Sequence, residues 1–313
     1  MTPRILVCGE ALVDLVPVPS QGSGPAHVFA AELGGGPFNV AVTLGRLDCS
    51  VGFVSRISTD PFGHRIITRL IESGVDVAAV QRGNEPTTLA VTALDETGAA
   101  GYTFYAEGTA DRLVTDPGSL PPSVAAVSFG TLSLLYEPGA VMYSRLLARA
   151  HAERRLTMLD PNIRPPAIDD PDQYRRRFTS WLESVHILKV SEDDANWLGS
   201  GAGGTRIAQW LDAGVAAVVL TRGGDGMSVI TPTFQRDVAA PPVTVVDTIG
   251  AGDTAHGALL AWLDRDGALD PATIREYGAE DWVAALKFAA GAAAITVSRR
   301  GADPPWAREL HND

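Results

Sequence analysis

The amino-acid sequence predicts an α/β fold: a mostly parallel sheet with helices on both faces, and a small β flap outside it. Three observations carry this expectation. Short apolar runs of strand length alternate with amphipathic helical stretches along most of the 313 residues. Several runs, such as residues 5–9, are apolar at every position, as strands buried on both faces are. Two strand-like segments around the turn sequence Asp95-Glu96-Thr97-Gly98 interrupt the alternation.

Taken in order, residues 5–9 form the first strand, and residues 12–17 continue in extended character with Asp14 in their middle. A lone Asp in an apolar strand is unfavourable unless it is bonded, so Asp14 is a candidate ligand contact. A Ser/Gly/Pro loop at 20–26 leads to a second exposed strand at 27–33. Gly34-Gly35-Gly36-Pro37-Phe38-Asn39 then opens a helix over 40–47, where Asn39 caps the helix or bonds a ligand. Residues 51–57 read as a strand and 62–73 as a helix closed by Gly74. The strands at 87–94 and 101–106 join those near 12–17 and 27–33 in the flap. From 124 onward the alternation is regular: strands at 124–129, 156–159, 185–190, 215–220 and 227–230, and helices at 138–151, 193–198 and 206–213. The last long helix lies within 282–295. The low-complexity run Gly199-Ser200-Gly201-Ala202-Gly203-Gly204 matches a dinucleotide fingerprint in letters, but it follows a helix instead of a strand.

Composition narrows the function classes. A formal charge of −12 and a pI near 4.9 argue against nucleic acid or an anionic membrane as partner. No apolar run approaches the roughly 18 residues of a membrane span. Cys8 and Cys49 suit free thiols in a reducing cytoplasm. Lys189 and Lys287 are the two lysines, and neither follows a glycine, which excludes a Walker A loop. The six histidines have no metal-ligand spacing.

The stretch Val246-Asp247-Thr248-Ile249-Gly250-Ala251-Gly252-Asp253 holds the chemistry. Val243, Val245 and Val246 read as a strand, and residues 255–263 as a helix behind a glycine turn. A helix start presents free N–H groups that suit an anion, while an Asp beside them is out of place unless it handles a proton. Locally, a capped turn and an anion hole both remain open. An oxidoreductase built on Gly250-Ala251-Gly252 is a further alternative, disfavoured because Asp253 would repel a pyrophosphate. Other expected strand ends hold Asp160-Pro161-Asn162-Ile163-Arg164, Lys189-Val190-Ser191-Glu192-Asp193-Asp194 and Thr221-Arg222-Gly223-Gly224-Asp225-Gly226. An Arg, an acid cluster and a glycine turn at the carboxyl edge of a sheet point to phosphoryl transfer.

Together these residues resemble the ribokinase-like (PfkB) carbohydrate kinases over nearly the whole chain. Asp247-Thr248-Ile249-Gly250-Ala251-Gly252-Asp253 matches the family signature D-T-x-G-A-G-D, and Gly34-Gly35-Gly36-Pro37-Phe38-Asn39 its first signature region. The resemblance implies a doubly wound core over 1–11, 35–85 and 109–313, with a β-sheet lid over 12–34 and 86–108. It implies ATP and Mg²⁺, with room for a monovalent cation such as K⁺. Asp253 would be the base, and Gly250, Ala251 and Gly252 the anion hole with it. Arg164 would stabilise charge on the phosphoryl group, or meet an acid substrate. Asp14, Gly34, Gly35 and Asn39, with Tyr102 and Phe104 from the lid, would bind the sugar. Lys189, Ser191, Thr221, Gly223, Gly226 and Gly301 would stand on the nucleotide side, and Asp194 and Asp247 near the cations. Ser191 and Asp194 stand where the family carries N-x-x-E. The segments from Gly108, Asp160 and Lys189 look most like bacterial fructokinases, with 2-keto-3-deoxygluconate kinases as the alternative, and a homodimer through the lid is expected.

Overall fold

The computed structural model describes residues 2–18, 28–94, 100–199 and 207–310. The expected loop at 20–26, the turn at 95–98 and most of the glycine run at 199–204 fall outside them. The strands begin with β1 (Ile5–Cys8), β2 (Leu12–Val18), β3 (Val28–Gly34), β4 (Val51–Val54), β5 (Arg56–Ser58), β6 (Gln81–Gly83) and β7 (Leu89–Leu94). They continue with β8 (Ala100–Tyr105), β9 (Ala126–Gly130), β10 (Leu156–Asp160), β11 (Ile187–Ser191), β12 (Ala217–Thr221), β13 (Met227–Ile230) and β14 (Gln235–Val238). The helices are α1 (Gly36–Arg46), α2 (Pro61–Glu72), α3 (Gly139–Ala152), α4 (Pro171–Trp181) and α5 (Glu192–Gly199). After them come α6 (Ile207–Asp212), α7 (Ala251–Arg265), α8 (Pro271–Glu276) and α9 (Ala279–Val297).

The large sheet runs β14-β13-β12-β11-β10-β9-β1-β4, parallel except at β12-β13 and β13-β14. Its parallel strands are Val-, Ile- and Leu-rich because both faces are covered. One core layer packs beneath α1, α2, α7 and α9, with Phe53, Leu260 and Trp282 at its centre. The other holds Phe129, Tyr143, Leu188 and Trp181, under α3 and α4. From β1 the chain builds outward to β4 on one side and then, from β9, outward on the other. That reversal leaves a crevice beyond the carboxyl ends of β1 and β9, the place where ligands bind in open α/β sheets.

A separate sheet, β3-β2-β7-β8, stands over this crevice. β2 pairs antiparallel with β3 and parallel with β7, so Asp14 lies opposite Glu32 on one side and Ala90 on the other. The two-residue side-chain period puts Leu12 and Asp14 on one face, and Phe104 and Tyr102 on that face of the neighbouring hairpin. Leu12 and Ala90 pack with Leu132 there.

Two sequence expectations change. α1 starts at Gly36, four residues early, because Pro37 fits the first turn without an N–H to satisfy. Gly35 holds φ 107° as its N-cap, so Asn39 lies inside the helix and its side chain does not cap it. Secondly, the valines before Asp247 form no strand: Val243, Val245 and Val246 are 39, 60 and 56 % exposed. Pro241-Pro242 supply no ladder donors, and the Val246 and Asp247 N–H groups bond the carbonyl of Val297 instead of a partner strand.

Candidate active site

α7 begins with a left-handed residue. Gly250 is its N-cap at φ 77°, and a Cβ there would lie 2.5 Å from that of Ala302. The first intrahelical bond runs from Thr254 N–H to the Gly250 carbonyl. Of the three amides before it, that of Ala251 makes a long bond of 3.3 Å to Thr248 O. The N–H groups of Gly252 and Asp253 stand ahead of the ladder, with the positive end of the helix dipole behind them.

Asp253 is 9 % exposed and its Oδ2 accepts from Asn39 Nδ2 at 2.8 Å. Close packing of α1 on α7 permits this: a Cβ on Gly257, one turn along, would lie 2.7 Å from Thr43 Cβ, one turn beyond Asn39. Burial pushes the Asp253 carboxyl up to about 6; the Asn39 bond, Lys189 and Arg164 pull the other way, and Asp160 adds to the rise. Asp14 is likewise raised to about 6, first by burial, against Arg164 and with Asp253 and Glu32.

These groups share a cavity of about 290 Å³ lined by Asp14, Gly35, Asn39, Tyr102, Phe104, Arg164, Gly250, Gly252 and Asp253. Tyr102 and Phe104 stack with ring centroids 6.1 Å apart and form its apolar wall. Arg164 Nη1 donates to the carbonyls of Asn162 and Ile163 and to Asn162 Oδ1. Two residues on this wall hold positive φ without being glycine, Thr131 at 60° and Asn162 at 40°. A β-branched residue in that region is strained, and strain of this kind concentrates at working sites.

A second cavity, of about 510 Å³, lies on the other side of the same turn. Thr221, Gly223, Gly226, Val243, Val245, Ala251 and Ala290 line it, and Thr248 and Gly252 belong to both cavities. Val243 and Val245, expected in a strand, are therefore cleft wall. The remaining expected site residues line neither cavity. Gly34 packs on Asp14, since a Cβ there would overlap its Oδ2. Lys189 is buried in an ion pair with Asp160 at 2.5 Å, and its Nζ is 3.5 Å from where a Gly252 Cβ would be. Burial works against the Asp160 charge, but Lys189 and His256 together outweigh it and hold that carboxyl at about 2. Ser191 and Asp194 bond one another's backbone amides, and Asp194 Oδ1 also accepts from Ile163 N–H. Asp247 accepts from the N–H groups of Ile249 and Gly301, tying the turn to the C-terminal loop.

A polar cavity with a buried carboxylate, joined to an apolar cleft through a helix N-terminus, is laid out for two substrates meeting at one turn. The family model for pfkB family carbohydrate kinases matches residues 2–308. The chain belongs to that family. It is thus a phosphotransferase with a sugar hydroxyl as acceptor, and the oxidoreductase alternative falls. A fructokinase of Rhizobium leguminosarum bv. trifolii is 38 % identical over 268 residues, 85 % of this chain and 81 % of that protein. The fructokinase of Xylella fastidiosa, solved with bound ATP, superposes with a TM-score of 0.88 at 26 % identity, covering 98 % of this chain and 97 % of that one. A double-mutant fructokinase of Vibrio cholerae O395, solved with fructose, ADP and potassium ion, gives 0.80 at 26 % identity, covering 96 % and 94 %.

Sequence reasoning missed Glu10 and Thr131, which also line the sugar-sized cavity. Both stand at ends of neighbouring parallel strands, and Cys8-Gly9-Glu10 carried the available signal, a charge directly after an apolar strand. Glu10 Oε2 accepts from Ser133 N–H, and burial pushes its carboxyl up to about 8. Among the described residues no helix is long and apolar enough to cross a membrane.

Proposed function

We propose that this chain is an ATP-dependent fructose kinase in which Asp253 is the base. The observation that carries this reading is the position of Asp253, buried at the sugar-sized cavity and on the turn that this cavity shares with the cleft beyond. The sugar lies against Asp14, Gly35 and Asn39 under Tyr102 and Phe104, with residues 12–34 and 86–108 as the lid. The nucleotide lies in the apolar cleft, its adenine among Val243, Val245 and Ala290. The Asp253 carboxylate takes the proton of the acceptor hydroxyl as that oxygen bonds the γ-phosphorus and the bond to the ADP oxygen breaks. The N–H groups of Gly252 and Asp253 hold the transferring oxygens, and Arg164 faces them across the cavity.

Mg²⁺, when bound, neutralises phosphate charge. Among the described residues no three His, Cys, Asp or Glu side chains stand together as a metal cage. Asp194 and Asp247 each have both carboxylate oxygens on backbone amides, so they would act on an ion through water, with phosphates completing its coordination. A monovalent cation such as K⁺ would belong to the loop that Asp247 ties to Gly301. The exposed lid strand with Val28 and Phe29 supports pairing with a second copy, which sedimentation would read as a dimer. Free Cys8 and Cys49 suit a reducing cytoplasm.

Fructose is favoured over 2-keto-3-deoxygluconate by charge. Arg164 is the one cation among the described residues lining the cavity, against Asp14 and Asp253, with Glu10 kept largely protonated near neutral pH by burial, which suits a neutral polyol better than a carboxylate. A coupled ADP-release screen over fructose, 2-keto-3-deoxygluconate, ribose and adenosine tests this; fructose gives the highest kcat/KM, and a higher value for another acceptor replaces it. Arg164→Ala lowers kcat about 10-fold or more while ATP affinity changes little; a loss confined to ATP affinity would remove its charge-stabilising role. Because the base must be ionised and its carboxyl is held up to about 6, kcat/KM falls as pH drops through that region and is flat above it. An acid limb near 4 would mean that the buried base does not limit the rate.

A further inference from the structure

His256 lies three residues after Asp253 on α7 and is 1 % exposed. No motif described above gives it a task. Its Nε2 is 2.8 Å from Ser128 Oγ. Its Nδ1 has no hydrogen-bond partner among the described residues and stands 3.8 Å from Asp160 Oδ2, too long for a direct bond. Beside it is a void of about 10 Å³ whose walls include His256, Asp160, Asp253, Ser128, Gly130 and Thr131. That volume is close to what one water needs, and the walls offer the two to four polar partners that such a water requires.

We infer that this void is the site of one fixed water through which His256 positions Asp253 as the base. The hydrogen-bond inventory closes. The Asp160 carboxylate 3.8 Å from Nδ1 favours the tautomer with the single proton of the neutral ring on Nδ1, so that Ser128 Oγ–H donates to Nε2. Burial keeps the ring neutral, although Asp160 pulls the other way. Nδ1–H then donates to the water, and both water protons remain for the carboxylates of Asp160 and Asp253. Asp160 is ionised because Lys189 pairs with it. Without a donor between them, two buried carboxylates repel and the base holds its proton too tightly.

The groups facing this point from every side are few. β10 supplies Asp160, β11 Lys189 and β9 the neutral Ser128; on Asp253 itself act Asn39 of α1, and Arg164 at longer range. His256 touches no substrate and acts through the water, so it is a positioning residue. The inference rests on the reading of Asp253 as the base.

The test compares His256→Leu, which removes the donor and sets methyl groups against the void, with His256→Asn, whose amide returns a donor near the Nδ1 position. In His256→Leu the acid limb of kcat/KM moves up by about one pH unit, while His256→Asn restores it to within about 0.3 unit. The fructose KM on the alkaline plateau stays within about twofold in both, as expected for a residue without substrate contact. A His256→Leu limb that coincides with the unaltered one, in a protein whose melting curve shows it folded, would overturn the inference. A high-resolution crystal structure of the unaltered protein decides independently of any variant's folding: one water bonded to His256 Nδ1 and both carboxylates supports it, and a dry void ends it. Full turnover in Asp253→Asn would instead sink the base assignment, whereas a bound water with an unmoved limb would sink only the role of His256.

Discussion

Asp253→Asn leaves a folded protein that binds fructose and ATP and turns over at least about 10²-fold more slowly. The amide preserves the bond from Asn39, so the cavity keeps its shape while the proton acceptor is lost. Stability moves the opposite way. The Asp253 carboxyl titrates at about 6 in the fold against an ordinary value of 3.8. The native state therefore binds this proton more tightly than the unfolded chain, so its destabilising effect begins as pH rises past the ordinary value and is complete above about 6. Asp253→Asn accordingly stabilises the protein at pH 8, on the order of 2 kcal/mol, and the gain disappears near pH 4. Denaturant titrations at the two pH values, beside a kcat measurement, check both halves. A variant that loses activity and also loses stability at pH 8 would show a structural role in place of a proton-transfer one.

Lys189→Met has the largest expected effect on stability. It strands the buried Asp160 carboxylate, whose partner in the ion pair it removes, and breaking such a pair from one side costs about 3–5 kcal/mol. The same change withdraws the ammonium from behind Gly252, so kcat falls as well. Adding Asp160→Asn to Lys189→Met removes the unpaired charge and recovers a large part of the lost stability. Urea denaturation of the single and double variants measures this. Equal stability of both would show that the pair contributes little and that Lys189 acts on the anion site alone.

Much of the fold was legible because its signals are local. Apolar runs such as Ile5–Cys8 and Val51–Val54 are strands for the reason that they are buried on both faces. The sheet order was not legible, since it depends on which helices cover which face. The run Val243 to Val246 shows how a local signal fails: β propensity without a partner strand forms no ladder, and Val243 and Val245 instead wall the larger cleft. The site was read through its acids and glycines. Asp14, Asn39, Arg164 and Asp253, 239 positions apart at the extremes (253 − 14), meet at one cavity. Asn39 was expected as a cap or a ligand contact, and its bond to Asp253 depends on the close approach of α1 and α7, which no single segment encodes. Asp160 ends β10 as expected, whereas Lys189 lies in the middle of β11, and their pairing with each other needs β10 and β11 to be neighbours. His256 was invisible for the same reason, because its partners come from β9 and β10.

In the proposed mechanism one turn, Gly250 to Asp253, receives the sugar from one cavity and the nucleotide from the other. A crystal structure of the protein with fructose and a non-hydrolysable ATP analogue tests it most directly. The expected result is an Asp253 carboxylate oxygen about 2.6–3.2 Å from one fructose hydroxyl, with the γ-phosphate in line beyond that oxygen and on the N–H groups of Gly252 and Asp253. A sugar whose nearest hydroxyl meets another group, or a nucleotide outside the cleft of Thr221 and Gly226, would contradict it.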